Sequence, residues 1–130
     1  MSAASDYLED ALADHVLNNI GFTSPTVVQL ALSTADPLDT GAGLAEPAGS
    51  GYTRVSVVGN FTVTAGVATN TAAIIFPLAT GSWGTLTHFA ILDASSGGNL
   101  LVHGALSGSL AIGANDLVVF AIGALSVTVA

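Results

Sequence analysis

The first twenty residues carry one helical stripe of hydrophobic positions. Ser5 is a good amino-terminal cap, and Asp6 and Glu9 suit the positive end of a helix dipole. Gly21, which follows two asparagines, is typical of a helix end. The pattern predicts one helix over about residues 6–20. Helices of this length are marginal alone, so it must dock on the sheet of its own chain or on a neighbour, and we expect the sheet. The stripe consists of Leu8, Ala11, Leu12, His15, Val16 and Ile20.

After Pro25 the pattern changes to short runs in which apolar and polar side chains alternate, separated by turn-forming residues. Alternation with a period of two is typical of strands, and Gly-rich turns at even spacing indicate antiparallel pairing. The sequence therefore predicts a mostly β fold, an antiparallel β-sandwich or barrel-like domain with one amino-terminal α-helix. The predicted strands are 26–33, 52–64 (bent or broken near Gly59), 66–77, 86–93, 99–106, 116–122 and 124–130, with a turn at 107–109.

The length of 130 residues suits one domain with one core. Within this single domain, 1–130, we assign 1–21 to the helix, 35–51 to a long loop and 52–130 to the β core. Ordered loops are usually shorter than the 35–51 segment, which indicates that it is functional or lies against a neighbour.

The composition indicates a partly covered surface. Hydrophobic residues make up 51% of the chain and charged residues only 8%, far below the usual quarter. A small soluble monomer needs more surface charge than this. We therefore expect other subunits to cover part of the surface, in a homo-oligomer for which a trimer is favoured.

The charge pattern excludes several functions. The chain has no lysine, Arg54 is its one strong cation, and nine acidic residues give a net charge of −8. Nucleic acids and anionic membranes both recruit Lys and Arg, so we expect neither as a direct partner. The acidic start lacks the basic region of a signal peptide, and the apolar run 117–130 is too short for a membrane helix.

Residues able to do chemistry are sparse. The absence of cysteine excludes disulfides and thiolate metal sites. A tight turn between Asp93 and Asn99 pairs His103 with Phe89 and places the imidazoles of His88 and His103 on opposite faces. No zinc-ligand spacing and no G-x-S-x-G nucleophile turn occurs. We therefore expect no metal, no cofactor and no catalytic residue, and a structural role for both histidines.

Trp83 is the one tryptophan, held in "FPLATGSWG" between Gly81 and Gly84. A large ring at a tight bend usually covers the end of a core, and this is the interpretation we favour. The alternative is a ligand-stacking ring, which with the 35–51 loop would make a carbohydrate-binding module. The aromatic content of 6% weighs against it.

Longer segments carry a resemblance to a known family. They are "SDYLEDALADHVL", "FTSPTVVQLALSTADP", "GYTRVSV" and "NTAAIIFPLATGSWGTLTHFAILDASSGGNLLVHGAL", before a terminal strand pair. The chain resembles, over nearly its whole length, a family of small bacteriophage virion proteins labelled tail-fibre-like or minor structural proteins. The most specific part is "FP-AT-SWGT-TH" followed by "DA-SGGNLL-HGAL". The resemblance implies a virion component, made in the cytoplasm of a bacterial host.

Arg54 and Tyr52 lie in the strand pattern "YTRVSV" and point to the same face, and the family resembled also has a Tyr and an Arg here. Arginine offers five donors in a planar fork that suits a carboxylate or several carbonyl groups. We expect a partly buried pair between Arg54 and a carboxylate of the same or an adjacent subunit. The alternative is an exposed ion pair worth about 0–1 kcal/mol. The interface or structural candidates are therefore Arg54, Tyr52, Trp83, His88 and His103.

These observations favour a non-enzymatic virion protein. The sequence has no coiled-coil heptads and no collagen-like tract, which a fibre shaft normally needs, so a capsid decoration or cement role is preferred. Such a protein would lie on the outer surface of the head, away from packaged DNA, with the major capsid protein as its partner. The alternatives are a tail-fibre or baseplate component that contacts a host receptor, and the carbohydrate-binding module.

Overall fold

The computed structural model describes residues 2–129, which form one α-helix and ten short to medium strands, all paired antiparallel. The helix α1 spans Asp6–Leu17. The strands are β1 (Ser2–Ala4), β2 (Gln29–Ser33), β3 (Val55–Ser56), β4 (Phe61–Thr64), β5 (Val67–Asn70), β6 (Ile74–Ile75), β7 (Gly84–Leu92), β8 (Leu100–Ile112), β9 (Val119–Phe120) and β10 (Ser126–Thr128).

The strands form three sheets that do not close into a barrel. Sheet A has the order β1-β8-β7-β2-β3, sheet B has the order β10-β5-β4, and sheet C pairs β6 with β9. One face of sheet A packs against sheets B and C around a common apolar core. The predicted mostly β, sandwich-like domain with an amino-terminal helix is confirmed.

The core follows from the alternation along the central strands. Leu30 and Leu32 of β2 and Phe89 and Ile91 of β7 point to the same side and are at most 5% exposed. They meet Val127 from sheet B and Ile74 from sheet C. The opposite face of sheet A carries a second apolar cluster that the 35–51 loop covers through Leu44. This cluster consists of Ala31, Ala90, Leu92 and Leu100.

A buried asparagine ties sheet B to the chain that leads into β10. Asn70, 2% exposed, donates from Nδ2 to the carbonyl oxygens of Ala72 (3.0 Å) and Ala121 (2.9 Å). Its Oδ1 accepts from the backbone N–H of Leu125 at 2.9 Å. The side chain therefore satisfies three main-chain groups in segments that no regular ladder covers.

The amino-terminal segment differs in part from its prediction. Ser5 caps α1 by accepting from the backbone N–H of Leu8, as expected, but the helix ends at Leu17. Leu8 packs against the core, whereas no helical side chain is fully buried and Val16 is 74% exposed. Docking on the sheet is therefore right only for the first turn. Strand β1, whose short "SAA" sequence carries no strand pattern, was not predicted.

Several predicted strands are shorter or longer in the structure. The 52–64 segment divides into β3 and β4 around a turn with Gly59 at a φ of 74°, as expected. The carboxy-terminal segments supply only β9 and β10, which pair with other strands and not with each other. The turn predicted at 107–109 is wrong, because β8 continues to Ile112. The register shifts between Leu86 and His88 of β7, so that the one residue between them lies opposite four residues of β8, 106–109.

No helix among residues 2–129 combines the length and the hydropathy needed to cross a bilayer.

Candidate functional site

The guanidinium group of Arg54 lies almost fully inside the fold. Its side chain is 5% exposed, and it makes a two-pronged contact with Glu46 of the 35–51 loop. Nε donates to Oε1 at 2.9 Å and Nη2 donates to Oε2 at 2.8 Å. Because both partners belong to one chain, Arg54 makes this ion pair without a neighbouring subunit.

Arg54 also fixes the Gly- and Ser-rich turn between β7 and β8. Its Nη1 donates to the carbonyl oxygens of Ala94 and Gly97, both at 2.8 Å. Asp93 closes the base of the turn, since its Oδ1 accepts from the backbone N–H of Asn99. The Arg54 side chain thus joins the 35–51 loop to the hairpin turn, and its hydrogen bonds fix the conformation of the "ASSGG" segment.

Tyr52 extends this site toward the core. Its hydroxyl donates to Oε1 of Glu46 at 2.7 Å and accepts from the backbone N–H of Leu32 at 3.1 Å. The ring meets Trp83 edge to face, with ring centroids 5.3 Å apart and an angle of 86°. The Trp83 Nε1 donates to the Ser50 carbonyl at 2.9 Å. We name Glu46, Tyr52, Arg54 and Trp83 the Arg54 cluster.

The Arg54 cluster shifts the protonation of its members. Burial alone would raise the pKa of Glu46, but the hydrogen bonds from Arg54 and Tyr52 outweigh it and hold this pKa below its ordinary value of 4.5. Burial raises the pKa of Tyr52, and the adjacent Glu46 carboxylate adds to the rise. The bonds to Glu46 raise the pKa of Arg54. The site is a locked ion pair at neutral pH, with no group poised to exchange a proton there.

Trp83 is 3% exposed and lies in the main core. A ring that stacks on a sugar must be accessible, so Trp83 gives no platform to a carbohydrate ligand in this structure. The structure therefore offers no support for the stacking role that the carbohydrate-binding alternative assigned to it.

The two histidines lie on the same face of sheet A, and the predicted opposite placement is wrong. Leu101 is an extra residue in β8, so Ala90, not Phe89, lies opposite His103. Alternation along β7 then puts His88 on the face of Ala90. The pairing rule for a simple tight turn could not reveal this bulge.

His103 is 9% exposed and holds the 35–51 loop on sheet A. Its Nε2 lies 2.8 Å from Oδ1 of Asp39, and its Nδ1 lies 3.7 Å from Oδ1 of Asp36. The Nδ1 atom of His88 lies 2.8 Å from the Thr87 hydroxyl. Residues 2–129 contain no group of three or more His, Cys, Asp or Glu side chains placed to hold a metal ion.

Sequence reasoning missed the acidic partners. Glu46 was not singled out, although it is the carboxylate nearest to Arg54 along the chain and a signal was therefore present. Asp36 and Asp39 were not predicted as partners of His103. Their pairing with His103 connects positions 64 and 67 residues apart, which only the fold brings together.

A mixed polar and apolar cavity of about 430 Å³ lies where α1, the 35–51 loop and the hairpin turn meet. Asp6, Tyr7, Asp39, Arg54 and Asn99 contribute to its lining. The Arg54 guanidinium already bonds to Glu46 and two carbonyl groups, while two carboxylates line the wall. The cavity therefore does not suit an anion.

Charge is distributed unevenly over the molecule. Seven of the nine acidic residues precede residue 47, in α1 and in the loop that covers the outer side of sheet A. The segments 55–92 and 117–129, which supply all of sheets B and C, contain no Asp, Glu, Lys or Arg. The acidic residues are therefore concentrated in the first 46 residues of the chain, whereas the strands of sheets B and C carry no ionised side chain.

Large apolar side chains are exposed in the acidic segments and in the uncharged segments alike. Sixteen of them are exposed among residues 2–129, and eight of these lie in the uncharged segments. The eight are Val58, Val63, Ile75, Leu78, Leu117, Val119, Ile122 and Val129. An apolar, charge-poor surface of this kind is typical of proteins that are permanently assembled.

A comparison with known protein families places the chain in the class of phage fibre-related structural proteins. The matching family model, described as Podophage GP4 fiber I protein gp80, covers residues 3–128, and the chain belongs to this family. The predicted resemblance to phage virion proteins is confirmed, and the chain is assigned to the virion. No match was found among curated proteins.

Proposed function

We propose that the chain is a structural subunit of a phage tail-fibre or baseplate assembly, held in the particle by burial of its exposed apolar surface. The observation that carries this proposal is the set of sixteen exposed large apolar side chains among residues 2–129, in a chain with 8% charged residues. The fibre description of the family supports the tail location.

The energetic basis is interface burial. Each ~1,000 Å² of apolar surface removed from water contributes about 25 kcal/mol before the costs of association. Modest apolar patches on each copy are therefore sufficient to stabilise the assembly when many such contacts form. The role proposed is structural and not catalytic, since the Arg54 cluster uses its polar groups within the fold.

The assembly that we propose is a homo-oligomer, with a trimer as its stoichiometry, attached to another protein of the virion. The low charge favours contacts between copies, and the acidic residues of α1 and the 35–51 loop remain for solvent or for a different virion protein. Sedimentation of the purified chain tests the stoichiometry. A monomer at every concentration would contradict it.

The second candidate function is that of a head decoration protein that covers the seams between major capsid subunits. It is favoured by the absence of heptads and collagen-like repeats, which leaves a sandwich domain without a shaft. The acidic, lysine-free surface also suits the outside of a shell that contains DNA.

Location and copy number distinguish the two candidates. An image reconstruction of the particle should place the sandwich at the tail, with few copies, if the first proposal is right. Hundreds of copies on the head would establish the decoration role instead. Quantification by mass spectrometry should use chymotrypsin or pepsin, because a chain without lysine and with one arginine gives few tryptic peptides. Absence from purified particles would contradict both candidates.

A further inference from the structure

We infer that copies of this chain contact one another through the outer face of sheet C. In this sheet Ile75 lies directly opposite Val119, and both side chains point away from the core, 56% and 47% exposed. Their strand neighbours Ile74 and Phe120 point inward and pack in the core. The exposed pair is therefore fixed by the alternation of two strands whose other sides are buried.

The apolar surface continues beyond the two strands. The backbone N–H of Phe76 donates to the Val118 carbonyl, and that of Ala79 donates to the Asp116 carbonyl, both at 3.0 Å. These bonds hold two further exposed side chains close to the pair, Leu78 at 51% and Leu117 at 52%. We call Ile75, Leu78, Leu117 and Val119 the sheet C patch.

The charge distribution favours a second copy as the occupant. Two chains of net charge −8 repel each other, so they can associate only where carboxylates are not brought together. The sheet C patch lies in the segments 55–92 and 117–129, which have no charged residue. Asp116 at its border is exposed, and its Oδ2 accepts from the backbone N–H of Gly113.

The exposed apolar residues of α1 do not meet this condition. Val16 and Leu17 are 74% and 79% exposed, but they share a short helix with four carboxylates. The chain has no lysine and its one arginine is paired with Glu46, so no Lys or Arg side chain is free to neutralise them. Two copies joined through α1 would bring eight acidic groups together. The helix therefore serves as a matched control for the patch.

The patch also suits the proposed trimer, because three copies of one apolar face can meet around a threefold axis. This inference rests on the proposed assembly but has an independent readout, namely self-association of the purified chain. If the chain were found in the virion and yet did not self-associate through sheet C, only this inference would fail.

The test compares three purified proteins by sedimentation velocity over a range of concentrations. The unmodified chain should self-associate, and association should strengthen with salt because screening weakens the repulsion between acidic copies. Ile75→Asp should weaken association about 100-fold or more, since like charges would face each other in an apolar contact. Val16→Asp adds the same charge at a more exposed apolar position outside the patch and should change association only slightly.

Because Ile75→Asp can also lower the stability of the fold, a second measurement introduces single cysteines into this cysteine-free chain. A spin label on Ile75→Cys should report distances between copies that shorten relative to a label on Val16→Cys. A monomeric unmodified chain, unchanged association in Ile75→Asp, or loss of association in Val16→Asp would each overturn the inference.

Discussion

Arg54 and Glu46 meet in a two-pronged contact in which Nε reaches Oε1 at 2.9 Å and Nη2 reaches Oε2 at 2.8 Å. The same guanidinium bonds to the carbonyl groups of Ala94 and Gly97, so it joins three separate segments of the chain. The one strong cation of the protein therefore acts inside the fold, and its loss should be detected first in stability.

Replacement of Arg54 by alanine should lower the free energy of unfolding by about 3 kcal/mol, because it leaves the Glu46 carboxylate and two carbonyl groups without their partner. Arg54→Lys should recover only part of the loss, since a single ammonium group cannot make the two-pronged contact. Urea denaturation measures both effects.

The double variant Arg54→Ala with Glu46→Ala provides the control for this prediction. It removes both charges, so it should lower the free energy of unfolding by less than the sum of the two single replacements. An Arg54→Ala variant as stable as the unmodified chain would show that the pair contributes no more than a surface ion pair.

Acid should destabilise the fold through Glu46. Its folded pKa lies below the ordinary value of 4.5, so the carboxylate contributes stability above that value, and the contribution is lost as pH falls through the folded pKa. Glu46→Gln should therefore show a smaller loss of unfolding free energy below about pH 4.5 than the unmodified chain. Glu9→Gln is the matched control, since it removes an exposed carboxyl group of α1. Equal acid sensitivity of Glu46→Gln and the unmodified chain would contradict the prediction.

The fold class was predictable because it depends on the local alternation of apolar and polar side chains. The pairing of the strands was only partly predictable. Strand β1 has three small residues and is specified by its partner β8, so no periodicity marks it. The bulge at Leu101 changes which residues face each other, and it reverses the relation between the histidines. Such shifts arise from packing on both faces of a sheet, which a single sequence does not display.

The candidate site was predictable to the level of its chemistry. The planar fork of Arg54 indicated a buried carboxylate partner, but the choice of Glu46 depends on how the 35–51 loop folds over sheet A. Trp83 was expected in the core on its Gly-bracketed bend, and it lies there. Its hydrogen bond to the Ser50 carbonyl could not be derived from sequence spacing.

Asn70 is a polar residue on which the arrangement of sheet B depends. Asn70→Ala should lower the free energy of unfolding by about 3 kcal/mol, because three main-chain groups lose a buried partner. Asn60→Ala removes a more exposed asparagine that also bonds to main-chain groups, and it should cost less. Thermal unfolding of both variants at one pH measures the difference. Equal losses of unfolding free energy in the two variants would show that the burial of Asn70 adds nothing to its contribution.

The β4–β5 hairpin contains a strained residue. Ala65 and Gly66 have φ values of 53° and 79° in its two-residue turn, a conformation that disfavours alanine. Ala65→Gly or Ala65→Asn should raise the free energy of unfolding by about 1 kcal/mol. Ala68→Gly, within β5, should instead be destabilising, since glycine weakens a strand interior. A destabilised Ala65→Asn variant would contradict the strain assigned to this turn.

The burial of Arg54 makes trypsin cleavage a measure of local unfolding in this protein. Trypsin cuts after lysine and arginine, and this chain offers it only the bond after Arg54, whose side chain is 5% exposed. The folded protein should therefore resist trypsin, and cleavage should require that the Arg54 cluster open. When opening is fast relative to cutting, the rate of this single cut measures how often the cluster is open. Comparison with global unfolding would then reveal whether the 35–51 loop detaches before the sandwich unfolds.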